Sequence, residues 1–141
     1  MLSDAQQIQS TLSRLASEGA PAGRIADKAV SIWRDVDAAL SPVIGQRGVA
    51  ALFKRSLSLT RPAHAWLAAV QEGADRPGDF AALKTALSQQ TSSDAVAANG
   101  ELLQKFLDLL THLIGESLTA RLLRSVWDNS SSDGTVQDIS P

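Results

Sequence analysis

The chain has 141 residues, a net charge of −2 and 44% hydrophobic residues, enough for the core of one domain. It contains no run of about 18 apolar residues that could cross a membrane, and no cysteine for a disulfide framework, a thiolate metal site or a cysteine nucleophile. The slight negative balance gives no general pull toward nucleic acid, and the shortage of aromatics (4%, no tyrosine) beside abundant alanine and leucine favours helix over sheet.

In chain order, Ser3 is a natural N-cap for a first helix over about residues 4–18, whose Ala5, Ile8, Leu12 and Leu15 share one stripe. Gly19 ends it, and Ala20-Pro21-Ala22-Gly23 connects to a second helix over about 24–40. That helix has an apolar face of Ile25, Ala29, Ile32, Val36 and Leu40, with Trp33 at its edge. Pro42 disfavours helical geometry at Ser41 and predicts a stop or kink there, and Gly45 permits a left-handed turn into a third helix over about 46–59. Pro62 suits the first turn of a fourth helix that Gly73 closes, and residues 74–78 form a loop. A short fifth helix begins near Asp79. After the cap-rich stretch Thr91-Ser92-Ser93-Asp94 a long sixth helix reaches Ile114, with Gly100 weakening it by about 1 kcal/mol relative to alanine. Gly115 breaks it, and a seventh helix covers about 116–127. Residues 128–141 are polar and expected to be a disordered tail outside a 1–127 helical domain.

Two stretches, 40–57 (LSPVIGQRGVAALFKRSL) and 110–127 (LTHLIGESLTARLLRSVW), align without a gap at a spacing of 70 residues. Leu40/Leu110, Ile44/Ile114, Gly45/Gly115, Ala50/Ala120 and Leu52/Leu122 are identical. Each copy reads as a helix end, a glycine break and a second amphipathic helix. This predicts an all-α bundle of six to seven helices, built from two repeated hairpins that pack together.

Motifs for chemistry are missing. There is no HExxH, GxSxG elbow, P-loop or GxGxxG. Asp108, His112 and Glu116 are spaced by four, but Gly115 interrupts the helix before Glu116, and the first two lie on a charged face opposite the leucine stripe. No catalytic residue, metal or cofactor is assigned, and an enzyme is not expected. A small apolar ligand or an enzymatic pocket between the repeats remains the alternative.

One charge pattern stands out. Between Asp37 and Glu72 there is no acidic residue, while Arg47, Lys54, Arg55 and Arg61 give this window a charge of +4. The third helix is therefore expected to present a basic strip to a protein partner, an acidic one by charge. Core packing is the expected fate of Trp33 and Trp127; either one, if exposed, would add an aromatic anchor to a partner or homodimer face. The rival reading, a helix-turn-helix with 46–59 reading nucleic acid, is opposed by the negative overall charge. The N-terminus lacks the basic start and apolar stretch of a signal peptide, so the expectation is a cytoplasmic interaction or regulatory module that docks a partner through an interhelical groove or the basic third-helix face.

Overall fold

Amphipathic stripes at three- and four-residue steps fold into seven helices and no strand among the described residues of the computed structural model, 4–73 and 79–132. The helices are α1 (Asp4–Ser17), α2 (Ala22–Ile44), α3 (Gln46–Thr60), α4 (Leu67–Gly73), α5 (Ala81–Ser88), α6 (Ser92–Ile114) and α7 (Glu116–Ser132). The expected cap Ser3, the loop 74–78 and the tail residues 133–141 lie outside the described residues.

The repeat predicted from sequence is present in three dimensions. Both α2 and α6 are 23 residues long. Both end on a glycine with positive φ and extended ψ, +82°/157° at Gly45 and +91°/159° at Gly115. This region of backbone space is essentially reserved for glycine. Each glycine donates its N–H to the carbonyl four residues back, Ser41 at 2.9 Å and Thr111 at 2.8 Å, and so closes the outgoing helix. Each glycine carbonyl then accepts from the fourth residue on, Val49 N and Thr119 N at 3.1 Å, and so opens the next. Along residues 31–57 and 101–127 the sequence of buried, half-buried and exposed positions is the same except at one pair, half-buried Ala50 and exposed Ala120.

Two contacts fix the relative direction of the long helices. Ser92 Oγ donates to the Ala20 carbonyl at 2.7 Å, and Trp33 Nε1 donates to Asn99 Oδ1 at 2.9 Å while its ring meets Phe106. Moving forward along α2 therefore means moving forward along α6. The two run parallel across the core with their N-termini together, and both glycine elbows lie at the same end of the bundle. Helix α3 turns back to pack on α2 and α6, and α7 turns back to pack on α6 and α2. Four helices thus close a ring in the order α2, α3, α6, α7, related by a pseudo-two-fold axis along the bundle. The outer helices obey the same exchange, α1 packing on α6 and α5 on α2.

The core lies on that axis. Trp33 meets Phe53 and Phe106 edge-on at 5.2 Å and stacks on Phe80 at 6.3 Å. Phe53 and Phe80 meet at 90°. Such pairs add about 0.5–1.5 kcal/mol each beyond area burial. Leu40, Leu57, Leu102, Leu103 and Leu110 are buried in the same core. Trp33, expected at the edge of its stripe, is instead the centre. The Asn99 amide accepts its indole N–H from a neighbouring helix, so the ring is buried with its polar end paired.

Several boundaries differ from the sequence reading. Pro42 does not stop α2, which continues to Ile44. The proline removes one N–H at the last turn, too late to cost more than one internal bond, and Gly45 supplies the true end. Helix α4 begins at Leu67 rather than near Pro62, because residues 61–66 wrap as turns, with His64 N reaching the Thr60 and Arg61 carbonyls. Helix α7 runs to Ser132, five residues past its expected end, so residues 128–132 belong to the helix and not to a tail. Val126 and Trp127, just before this stretch, are buried.

Candidate functional site

The basic residues of α3 come to one face for a simple reason. Arg47, Lys54 and Arg61 are seven residues apart, two helical turns, so they fall in line at a spacing of about 10.5 Å. The C-cap residue Arg61 keeps helical dihedrals, φ −54° and ψ −37°, so it extends the line past the last helical residue. Arg55 lies beside the line, and all four are exposed. The opposite side of the helix buries Val49, Phe53, Ser56, Leu57 and Thr60. The hydroxyls of Ser56 and Thr60 bond back to Leu52 and Ser56 carbonyls at 2.7 and 2.8 Å, which lets a polar residue enter the core without an orphaned group.

No carboxylate among the described residues lies within salt-bridge distance of Arg47, Lys54 or Arg55. Arg61 donates from Nη1 to Gln71 Oε1 at 2.8 Å, and Gln71 Nε2 donates in turn to Ser58 Oγ. This link ties α4 to the end of the basic line and limits the freedom of the Arg61 guanidinium. The four charges therefore face solvent on a helix whose inner side is fixed in the core.

Trp33 and Trp127, partner anchors only if exposed, take no part in this face. They are 2% and 4% exposed and belong to the core. Among the described residues the exposed large apolar side chains are Val43 and Leu113, at 49% and 60%, with Leu59 at 40%. Val43 and Leu113 occupy equivalent places, each two residues before its elbow glycine. Their repeat spacing of 70 could have flagged them in the sequence.

The sixth helix carries the opposite charge in the same pattern. Asp94, Glu101 and Asp108 are seven residues apart and exposed. Glu101 Oε2 is 3.4 Å from His64 Nε2, which places the end of α3 level with residue 101 of α6. Asp108 accepts from Gln104 Nε2 at 3.0 Å, and its carbonyl is 2.9 Å from His112 Nδ1. No group of three or more acidic or histidine side chains among the described residues is arranged to hold a metal ion. No helix among them is long and apolar enough to cross a membrane.

The space between the two halves is filled by Trp33, Phe53, Phe106 and the leucines around them. An open groove of about 540 Å³ lies elsewhere, between α1 and α6, lined by Gln9, Ser13, Ser17, Ser93, Val96 and their neighbours. Gln9 Oε1 is buried there without a hydrogen-bond partner, resting over Gly100, where a side chain would collide with it.

No family model matches the chain, no curated protein matches its sequence, and no solved structure matches it.

Proposed function

We propose that the protein is a non-catalytic helical interaction module that docks an acidic partner along the exposed face of α3. The observation that supports this most is the line Arg47-Lys54-Arg61 with Arg55 beside it. It is exposed, rigidly backed, and without carboxylate partners among the described residues at Arg47, Lys54 and Arg55. Unpaired like charges in a row repel one another, and an anionic partner relieves that repulsion. The same places on α7 hold Ser117, Arg124, Ser125 and Ser131, so the row is a property of one half and not of the fold.

The test is a titration of the labelled protein with an acidic polypeptide at low and moderate salt. Binding is expected to fall at least tenfold on Lys54→Glu/Arg55→Glu and to be unchanged by Arg121→Glu/Arg124→Glu on α7. Equal loss with both variants would mean that only net charge matters, and the docking face would be abandoned. Tighter binding of single-stranded DNA than of the polypeptide, with a steep salt slope, would transfer the face to nucleic acid.

A further inference from the structure

The basic line on α3 and the acidic line on α6 match each other in spacing, level and direction. Lys54 precedes Arg61 by seven residues and Asp108 follows Glu101 by seven. The two helices are antiparallel neighbours in the ring, and His64, three residues past Arg61, reaches Glu101 at 3.4 Å. The end of α3 therefore lies near Glu101, and Lys54, seven residues back along the antiparallel helix, lies toward Asp108. Lys105 interrupts the acidic line, but it has Glu101 four residues before it and Asp108 three after it on its own helix, which leaves that face negative.

We propose that the α3–α6 side of the bundle binds a second copy of the same chain, with α3 of each copy lying against α6 of the other. This rests on the reading of α3 as a docking face for an acidic partner, and it names that partner. The charge pattern selects the symmetry. A two-fold axis across the helices would set α3 on α3, cation against cation. A two-fold axis along the helices sets α3 on α6 and keeps every residue at its own level. Arg61 then meets Glu101 and Lys54 meets Asp108, and each contact occurs twice. The opposite side of the ring cannot do this. At the corresponding places α7 has Ser117, Arg124 and Ser131, and α2 has Arg24, Ser31 and Ala38. An interface of exposed ion pairs is weak and screened by salt, so the dimer forms at high protein concentration and low ionic strength.

Sedimentation velocity over a concentration series at about 50 mM and 500 mM salt tests this; the first is expected to show a monomer–dimer equilibrium and the second a monomer. Lys54→Glu/Arg61→Glu and Glu101→Lys/Asp108→Lys should each be monomeric alone, at least tenfold weaker in association than wild type. Mixed in equal amounts they should form a heterodimer, because one variant is acidic on both helices and the other basic on both. Circular dichroism of each variant confirms that it is folded. A wild-type chain that stays monomeric at low salt overturns the proposal, as does a mixture that stays monomeric. Charge reversals that lower the melting temperature without changing association assign the two lines to pairing within one chain instead. Binding of an acidic polypeptide by a monomeric wild type, lost on Lys54→Glu/Arg55→Glu, would keep the α3 docking reading and discard only the second copy.

Discussion

The α2–α3 hairpin and the α6–α7 hairpin share a frame and differ in what they put on it. Their long helices have the same length, their elbows the same glycine geometry, and their inner faces the same order of buried positions. Their centres differ: Trp33 stands where the other half has Leu103, and Asn99 stands where it has Ala29. Their surfaces differ more. From residue 22 to 61 the first half has seven basic and three acidic side chains, while from 92 to 132 the second has three basic and five acidic. What is identical in the two copies is what the backbone turn and the core require. What has diverged is free of those requirements, and that is where function is to be sought.

Exchanging residues between the halves turns this comparison into measurements. The largest effect is expected at the centre. Trp33→Ala should cost about 3–5 kcal/mol in denaturant unfolding, since it leaves a cavity amid three phenylalanines. Trp33→Leu, which imports the residue of the other half, should cost less but leave the Asn99 amide without its indole donor. Adding Asn99→Ala should then recover roughly 1–3 kcal/mol of that loss, whereas simple additivity of the two substitutions would show that the hydrogen bond does not couple the halves.

The elbows come next. Gly45→Ala and Gly115→Ala should each destabilise by about 1–3 kcal/mol, and by similar amounts. Nothing lies within 4 Å of a side chain added at either place, so the cost is one of backbone conformation alone. A large difference between the two would break the equivalence of the elbows. Gly100→Ala should change stability by less than about 1 kcal/mol, because the gain in helix propensity is offset by displacing Gln9. Combined with Gln9→Ala the gain should appear. Smallest of all, Lys54→Glu and Arg124→Glu at equivalent exposed places should each shift stability by about 0.5 kcal/mol or less. Only the first should affect docking.

Much of the fold was legible in the sequence. Apolar periodicity gave the helices, and the shared Ile-Gly gave the elbows and their pairing. Pro42 misled because proline is a poor helix residue in general but costs little at a final turn, where the bond it forfeits is nearly the last. The burial of Trp33 was expected but its central place was not, because a stripe drawn on one helix cannot show which edge faces a second helix; its polar partner, Asn99, is 66 residues away. The late start of α4 depends on turns that side-chain patterns do not encode. Of the candidate site, the basic line was readable from the absence of acids between Asp37 and Glu72. The acidic line on α6 was in the sequence at the same seven-residue spacing. Its relation to α3 required knowing that the two helices are antiparallel neighbours, which the His64–Glu101 contact makes visible.

The most direct test of the central claim is an amide shift map of the ¹⁵N-labelled protein titrated with an acidic polypeptide at moderate salt. The shifts are expected to concentrate on α3 from Arg47 to Arg61 and on the adjoining turn to His64, with the equivalent stretch of α7 silent. Equal shifts on α3 and α7, or shifts confined to the elbows around Val43 and Leu113, would show that the divergence of the two halves does not mark the docking face.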